Sequence, residues 1–320
     1  MGTRRTRLLT WLVALIVIGA LLAACGDDGD GSSGDRLIVV TSTSIPGALA
    51  TEVGGDLVEV ETLIPPGTDP HTFDVTPGDV RTIAEADVVL LIGLGLDDFL
   101  QDVIESGNDS ARIVVVTDGV DLVETGDDHE DEDHDTEEDD NAHGEFDPHV
   151  WQDPLRVKTM VGNIADALAE ADPDNASTYQ ENAAEYQATL DDTHQQIEEL
   201  IGEIPAERRK LVTNHDAFAY FADRYGLDVV GTVIPGNSSE ADPSAGSIAE
   251  LSELIRDEGV AAIFAEALID PAVAESLASD TGVEIVYGLY TDQVGESGSG
   301  AETVHEMLLA NATRINEALR

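Results

Sequence analysis

Downstream of one long apolar segment at its start, the chain sets out its hydrophobic residues in short blocks that alternate between two kinds of pattern. RLIVVTST (36–43) is a β-branched run without a polar face, as in a strand buried on both sides of a parallel sheet. IPGALATEVGG (45–55) reads as a short helix stopped at glycine, and LVEVETLI (57–64) as a second strand. PPGTDPHTFDVTPGD (65–79) is dense in turn residues and reads as a loop. VRTIAEA, ADVVLLIG, DDFLQDVIES and ARIVVVTDG continue as helix, strand, helix, strand. Such β/α alternation specifies a parallel sheet covered by helices.

A helix is expected over 154–171, and a longer one from about residue 175 to 203. In the longer one Tyr179, Ala183, Tyr186, Leu190, Ile197, Leu200 and Ile204 mostly step by three or four. At 1.5 Å per residue it would span roughly 40 Å, long enough for a stiff connector. The second half repeats the theme. KLVT, LDVVGTVI, VAAIFAEA and VEIVYGLY read as strands, and the segments after each as helices, the last closing the chain. The expected fold is α/β: two similar lobes, each a mainly parallel sheet flanked by helices, joined by one long rigid helix. The divisions fall at 1–24, 25–35, 36–173, 174–206 and 207–320.

The segment before residue 36 carries different information. Arg4, Arg5 and Arg7 precede the apolar run 11–24, which is of the length of an export signal and short for a membrane span. It ends in Leu22-Ala23-Ala24-Cys25, which resembles the bacterial lipobox and implies that Cys25 becomes the first residue of the exported chain and carries a lipid. Cys25 is the only cysteine, which excludes an intramolecular disulfide and a thiolate metal site. GDDGDGSSGD (26–35) then has nothing to bury and reads as a tether. The formal net charge is −51, and the only lysines are Lys158 and Lys210. Such a field repels nucleic acid and attracts cations, and it equally suits a salt-adapted, highly soluble surface.

Four residues could converge on a cation. His71 follows the second strand in TDPHTFDV, and His149 precedes a helix in FDPHVWQDP. His215 ends the first strand of the second half in VTNHDAF, and Asp292 follows the last strand in LYTDQV. In open α/β sheets, ligands bind outside the carboxyl ends of the strands. Three imidazoles and a carboxylate would make a closed tetrahedral set for a borderline cation such as zinc. Taken singly, each is also what a hydrogen-bonded loop or cap histidine looks like. Two of them share an Asp-Pro-His tripeptide, in which proline fixes the approach of the chain. Gly93-Leu94-Gly95 is not a dinucleotide fingerprint, because Asp98 stands where the third glycine belongs.

DPHTFDVTPGDV, IGLGLDDFL, DPHVWQDP, TNHDAFAYFADRYGL and LYTDQVGESGS, in that order, resemble the substrate-binding lipoproteins of bacterial zinc and manganese ABC importers. The resemblance implies two α/β lobes on a stiff helix with metal held in the cleft between them. Its implied ligands are His71, His149, His215 and Asp292. Glu266, in IFAEALIDP, is a reserve carboxylate or a partner that orients a ligand histidine. Family members that read manganese often replace one imidazole by a carboxylate, and this chain keeps all three. The acidic insert 127–145, with His129, His134 and His143, resembles the His-rich loop of the zinc branch and would at most collect metal weakly. His194 and His305 are expected at the surface. The implied protein is a monomeric, lipid-anchored receptor outside the cell membrane that hands Zn²⁺, or alternatively Mn²⁺ or iron, to a permease driven by an ATPase. A zinc hydrolase would need a general base near the ligands, and the chain has no His-Glu-x-x-His. A surface adhesin, a role some relatives suggest, would bind protein without metal.

Overall fold

The computed structural model describes residues 36–107, 110–123 and 146–320. Cys25, the segments 1–24 and 25–35, and the insert 127–145 with its three histidines lie outside those residues. Four parallel strands form the first sheet: β1 (Leu37–Thr43), β2 (Val58–Ile64), β3 (Val88–Leu91) and β4 (Arg112–Val115), in the order β2-β1-β3-β4. Successive side chains point to opposite faces, so Val39, Val88 and Leu90 enter one hydrophobic cluster while Val40, Val89 and Leu91 enter another. Both faces are covered, which is why β1 and β3 show apolar runs rather than alternation.

Helices α1 (Ser44–Gly54), α2 (Pro77–Glu85) and α3 (Phe99–Gly107) fill the crossovers. Thr76 accepts from Gly78 and Asp79 N–H while Asp79 reaches back to Thr76 N–H, a reciprocal cap that starts α2 sharply after the His71 loop. Gly93-Leu94-Gly95 makes a left-handed turn at the end of β3, with φ of 77°, 58° and 87°. Leu94 tolerates that conformation because buried Asp97 accepts from the Ile92 and Gly93 N–H groups, both at 2.7 Å, and closes the turn.

After α4 (Pro154–Ala171) comes α5 (Ala176–Gly202), 27 residues long. Tyr179, Ala183, Tyr186, Leu190 and Ile197 of the expected stripe are buried along it, and Ile204 is buried just beyond its end. Asn182 ties α5 to the Val53 carbonyl of α1, and Asn316 of the closing helix α9 (Val304–Leu319) ties its far end at Leu200.

The second half contains β5 (Lys210–Thr213), β6 (Asp228–Thr232), β7 (Ala262–Glu266) and β8 (Glu284–Leu289), with α6 (Ala219–Tyr225), α7 (Ala245–Glu258) and α8 (Ala272–Thr281) between them. Its strands pair as β5-β6 and β7-β8, both parallel, rather than as one continuous ladder. At the seam the Asn214 side chain accepts from Glu266 N–H at 2.8 Å, replacing a backbone rung by a side chain. His194 and His305, expected at the surface, are half-buried and contact the hydroxyls of Tyr225 and Tyr186. Among the described residues no helix is long and apolar enough to cross a membrane.

Candidate metal site

Both Asp-Pro-His segments fold into the same local device. Asp69 Oδ1 accepts from His71 N–H at 2.9 Å, and Asp147 Oδ1 accepts from His149 N–H at 2.9 Å. Proline offers no competing N–H, so the aspartate closes a turn onto the residue two positions on and aims the histidine. Asp147 goes further and reaches His149 Nδ1 at 2.6 Å. His215 leaves the carboxyl end of β5 and is held in the same two-point way by Glu266, through N–H at 2.9 Å and Nδ1 at 2.7 Å. A carboxylate on Nδ1 keeps the proton there and leaves the Nε2 lone pair to face the site. Asp292 follows β8, and the Thr291 hydroxyl lies 3.0 Å from Glu266 and 3.1 Å from Asp292.

The structure brings His71, His149, His215 and Asp292 together, each with one ligand atom within 4.8 Å of all the others. His149 Nε2 lies 3.0 Å from Asp292 Oδ1 and 3.3 Å from His215 Nε2. His215 Nε2 lies 3.5 Å from Asp292 Oδ2, and His71 Nε2 lies 3.8 Å from Asp292 Oδ1. A tetrahedral ion with bonds near 2.0–2.1 Å needs donor–donor edges of roughly 3.3 Å. The observed separations bracket that value. His71 Nε2 and Asp292 Oδ1 are both buried without a hydrogen-bond partner, as expected of atoms that serve a common cation. Glu266 is not among the converging donors; it sits behind His215.

Charge follows the same geometry. Burial alone pulls His149 down, but the Asp147 carboxylate and then Asp292 outweigh it and lift the imidazole to about 9. Burial opposes the proton on His215 too, and Glu266 with Asp292 raises it well above the usual histidine range. Burial would raise Asp292, yet the surrounding imidazoles hold it well below the usual carboxylate range. At His149 and His215, protons therefore compete with a captured cation for the ring nitrogens that face the site.

Two residues that follow His149 brace the site. The Trp151 indole N–H donates to the Thr291 carbonyl at 2.6 Å, and Gln152 donates to the Tyr290 and Thr291 carbonyls at 3.2 and 3.1 Å. They fix the His149 turn against the Asp292 loop. Outside the site lies a cleft of about 530 Å³ walled by Phe73, Leu94 and Phe99 on one side and Asn237 and Ser238 on the other, with His71 in its lining. Sequence reading missed Asp69, Asp147, Trp151 and Thr291. For the two aspartates the repeated Asp-Pro-His tripeptide was a usable signal.

The family model described as "zinc-uptake complex component A periplasmic" matches residues 39–318. The manganese-binding lipoprotein MntA of Halalkalibacterium halodurans is 33% identical, over 93% of this chain and 94% of that one. The manganese ABC transporter substrate-binding lipoprotein PsaA of Streptococcus pneumoniae is 28% identical, over 96% of this chain and 97% of that one. Among solved structures, the periplasmic zinc-binding protein TroA of Treponema pallidum is 29% identical with a TM-score of 0.78, covering 89% of this chain and 99% of that one. A manganese-bound periplasmic metal-binding protein of Candidatus Liberibacter asiaticus is 25% identical with a TM-score of 0.77, covering 89% of this chain and 100% of that one.

Proposed function

This chain belongs to the family of periplasmic zinc-uptake component A, the metal-binding receptors of ABC importers, and from that premise we propose that its cargo is Zn²⁺, held by His71, His149, His215 and Asp292. The observation that carries the reading is the convergence of three imidazole Nε2 atoms and one carboxylate at near-tetrahedral separations. Zinc accepts a closed four-donor nitrogen-rich site, whereas manganese favours six oxygen-rich donors. Family members that read manganese often replace one imidazole by a carboxylate, whereas this chain keeps all three. The receptor is exported, tethered outside the cell membrane through a lipid on Cys25, and acts as a monomer. It passes its ion to a permease and an ATPase. The histidines of the insert 127–145 collect metal weakly at most.

Manganese is the second reading, favoured by the names of relatives such as MntA. Purified protein alone discriminates poorly, since nitrogen and oxygen sites in general bind zinc above manganese. The deciding experiment is growth and metal content of a strain lacking this chain. Under the zinc reading, the strain fails under zinc chelation and is rescued by zinc. Rescue by manganese alone would assign the cargo to the second reading. In vitro, His71→Ala abolishes tight one-to-one binding; retention of such binding would show the four-residue site to be misassigned.

A further inference from the structure

Three of the four converging groups are fixed from behind, and the fourth is held differently. His149 and His215 are each gripped at backbone and ring by one carboxylate, and Asp292 is flanked by the Thr291 hydroxyl. Among the described residues no carboxylate holds the Nδ1 of His71; only its backbone N–H is anchored, by Asp69 Oδ1. His71 is also the one member of the four that lines the cleft, while the other three are 3% exposed or less. An ion that leaves toward solvent through this cleft must pass the His71 ring.

The turn that carries His71 is tied across the cleft to the second half of the chain. The second oxygen of Asp69 accepts the Ser239 hydroxyl at 2.5 Å, and the Gly67 N–H of the same loop donates to Gln293. Asp69 therefore does two jobs with one carboxylate: it caps the turn Pro70–Thr72 and anchors that turn to the far wall. We propose that metal enters and leaves past His71, and that the Asp69–Ser239 hydrogen bond is the latch that sets how long the ion stays. This rests on the receptor reading above. Without the Ser239 hydroxyl, Asp69 still caps its turn, but the turn loses the tie nearest His71 and is held across the cleft only through Gly67 and Gln293, so it swings away from the other donors more readily. The latch therefore acts on escape and leaves the formed site unchanged.

The test is stopped-flow release of Zn²⁺ from the loaded protein into excess chelator, for wild type, Ser239→Ala and Ser239→Thr. Loss of a hydrogen bond to a charged partner corresponds to a release rate raised about ten- to a hundredfold in Ser239→Ala. The rate of capture stays near the wild-type value, and Ser239→Thr restores slow release. Release from Ser239→Ala at the wild-type rate overturns the latch while leaving the receptor reading intact. Equally fast release from the Ala and Thr variants does the same. A wild type that takes up neither Zn²⁺ nor Mn²⁺ overturns both.

Discussion

Glu266 and Asp147 illustrate how much a residue can govern without touching the cargo. Each fixes the tautomer and direction of one imidazole, and removal of such partners in metal sites costs about 10- to 100-fold in affinity. Glu266→Gln should therefore weaken Zn²⁺ binding by that order while leaving the one-to-one stoichiometry, as titration against a calibrated chelator would show. Proton linkage at His149 has a defined sign. Its folded-state value is raised to about 9 from 6.5, so its contribution to the metal-free fold is fully present below 6.5 and lost as pH rises through about 9. Asp292 is held low, so its contribution is present above the ordinary carboxylate range and lost only in stronger acid. The metal-free melting temperature should decline between pH 6.5 and 9, whereas metal affinity should climb over the same interval as protons cease to compete. An affinity that is flat across that interval would contradict the proton-displacement account. An unperturbed imidazole would place the affinity change near 6.5; the neighbouring carboxylates move it upward at His149. The contact of Asp147 with His149 was missed, although the two are only two residues apart and the repeated tripeptide offered a signal for it. Glu266 was read as a reserve ligand or as a partner of a ligand histidine, but which histidine was not legible, because its contact with His215 spans 51 positions and depends on β5 lying beside β7.

Most elements could be read from the chain, since buried strands and helix stripes leave periodic marks. The stripe of α5 needed only spacing: Tyr179, Ala183, Tyr186, Leu190 and Ile197 are buried as expected, whereas Leu200 is half-buried and the buried Thr193 and Ile201 were not named. Leu190 is fully buried there, so Leu190→Ala should cost about 2–5 kcal/mol of stability. Urea unfolding of the metal-free protein would measure it, and a loss below 1 kcal/mol would mean that the stripe collapses around the gap. The seam between β5-β6 and β7-β8 left no such mark. Whether two strands share a backbone rung or are bridged by Asn214 is settled by packing across the sheet, not by local pattern. The turn at Gly93-Leu94-Gly95 was likewise visible as a motif but not as a shape, because Asp97 supplies the bonds that stabilise it.

For the whole molecule, charge and brace act together. A net charge of −51 opposes the compact state by self-repulsion, and its range shrinks from about 10 Å in 0.1 M salt to about 3 Å in 1 M. Stability against urea should accordingly rise with sodium chloride over that interval; an unchanged midpoint would indicate that the acidic groups are already neutralised by their spacing. The α5 brace, bonded to α1 at one end and α9 at the other, predicts little change in radius of gyration on metal binding. A large change in small-angle scattering would count against a rigid connector. The latch at Ser239 fits that picture, since a frame that hardly moves needs a local element to move instead.

The brace that joins Trp151 to the Thr291 carbonyl also makes the protein its own optical probe. The chain has only two tryptophans, and Trp11 lies in the proposed leader, so a form processed at Cys25 would emit from Trp151 alone. That indole is fully buried, and its ring centre lies 5.3 Å from that of His149 in an edge-on arrangement. A protonated imidazole at that range quenches indole emission, and a metal that displaces the proton relieves the quenching. Diamagnetic Zn²⁺ should brighten the emission, whereas paramagnetic Mn²⁺ should leave it dim. A cuvette titration without any label would then report occupancy and the identity of the ion at once.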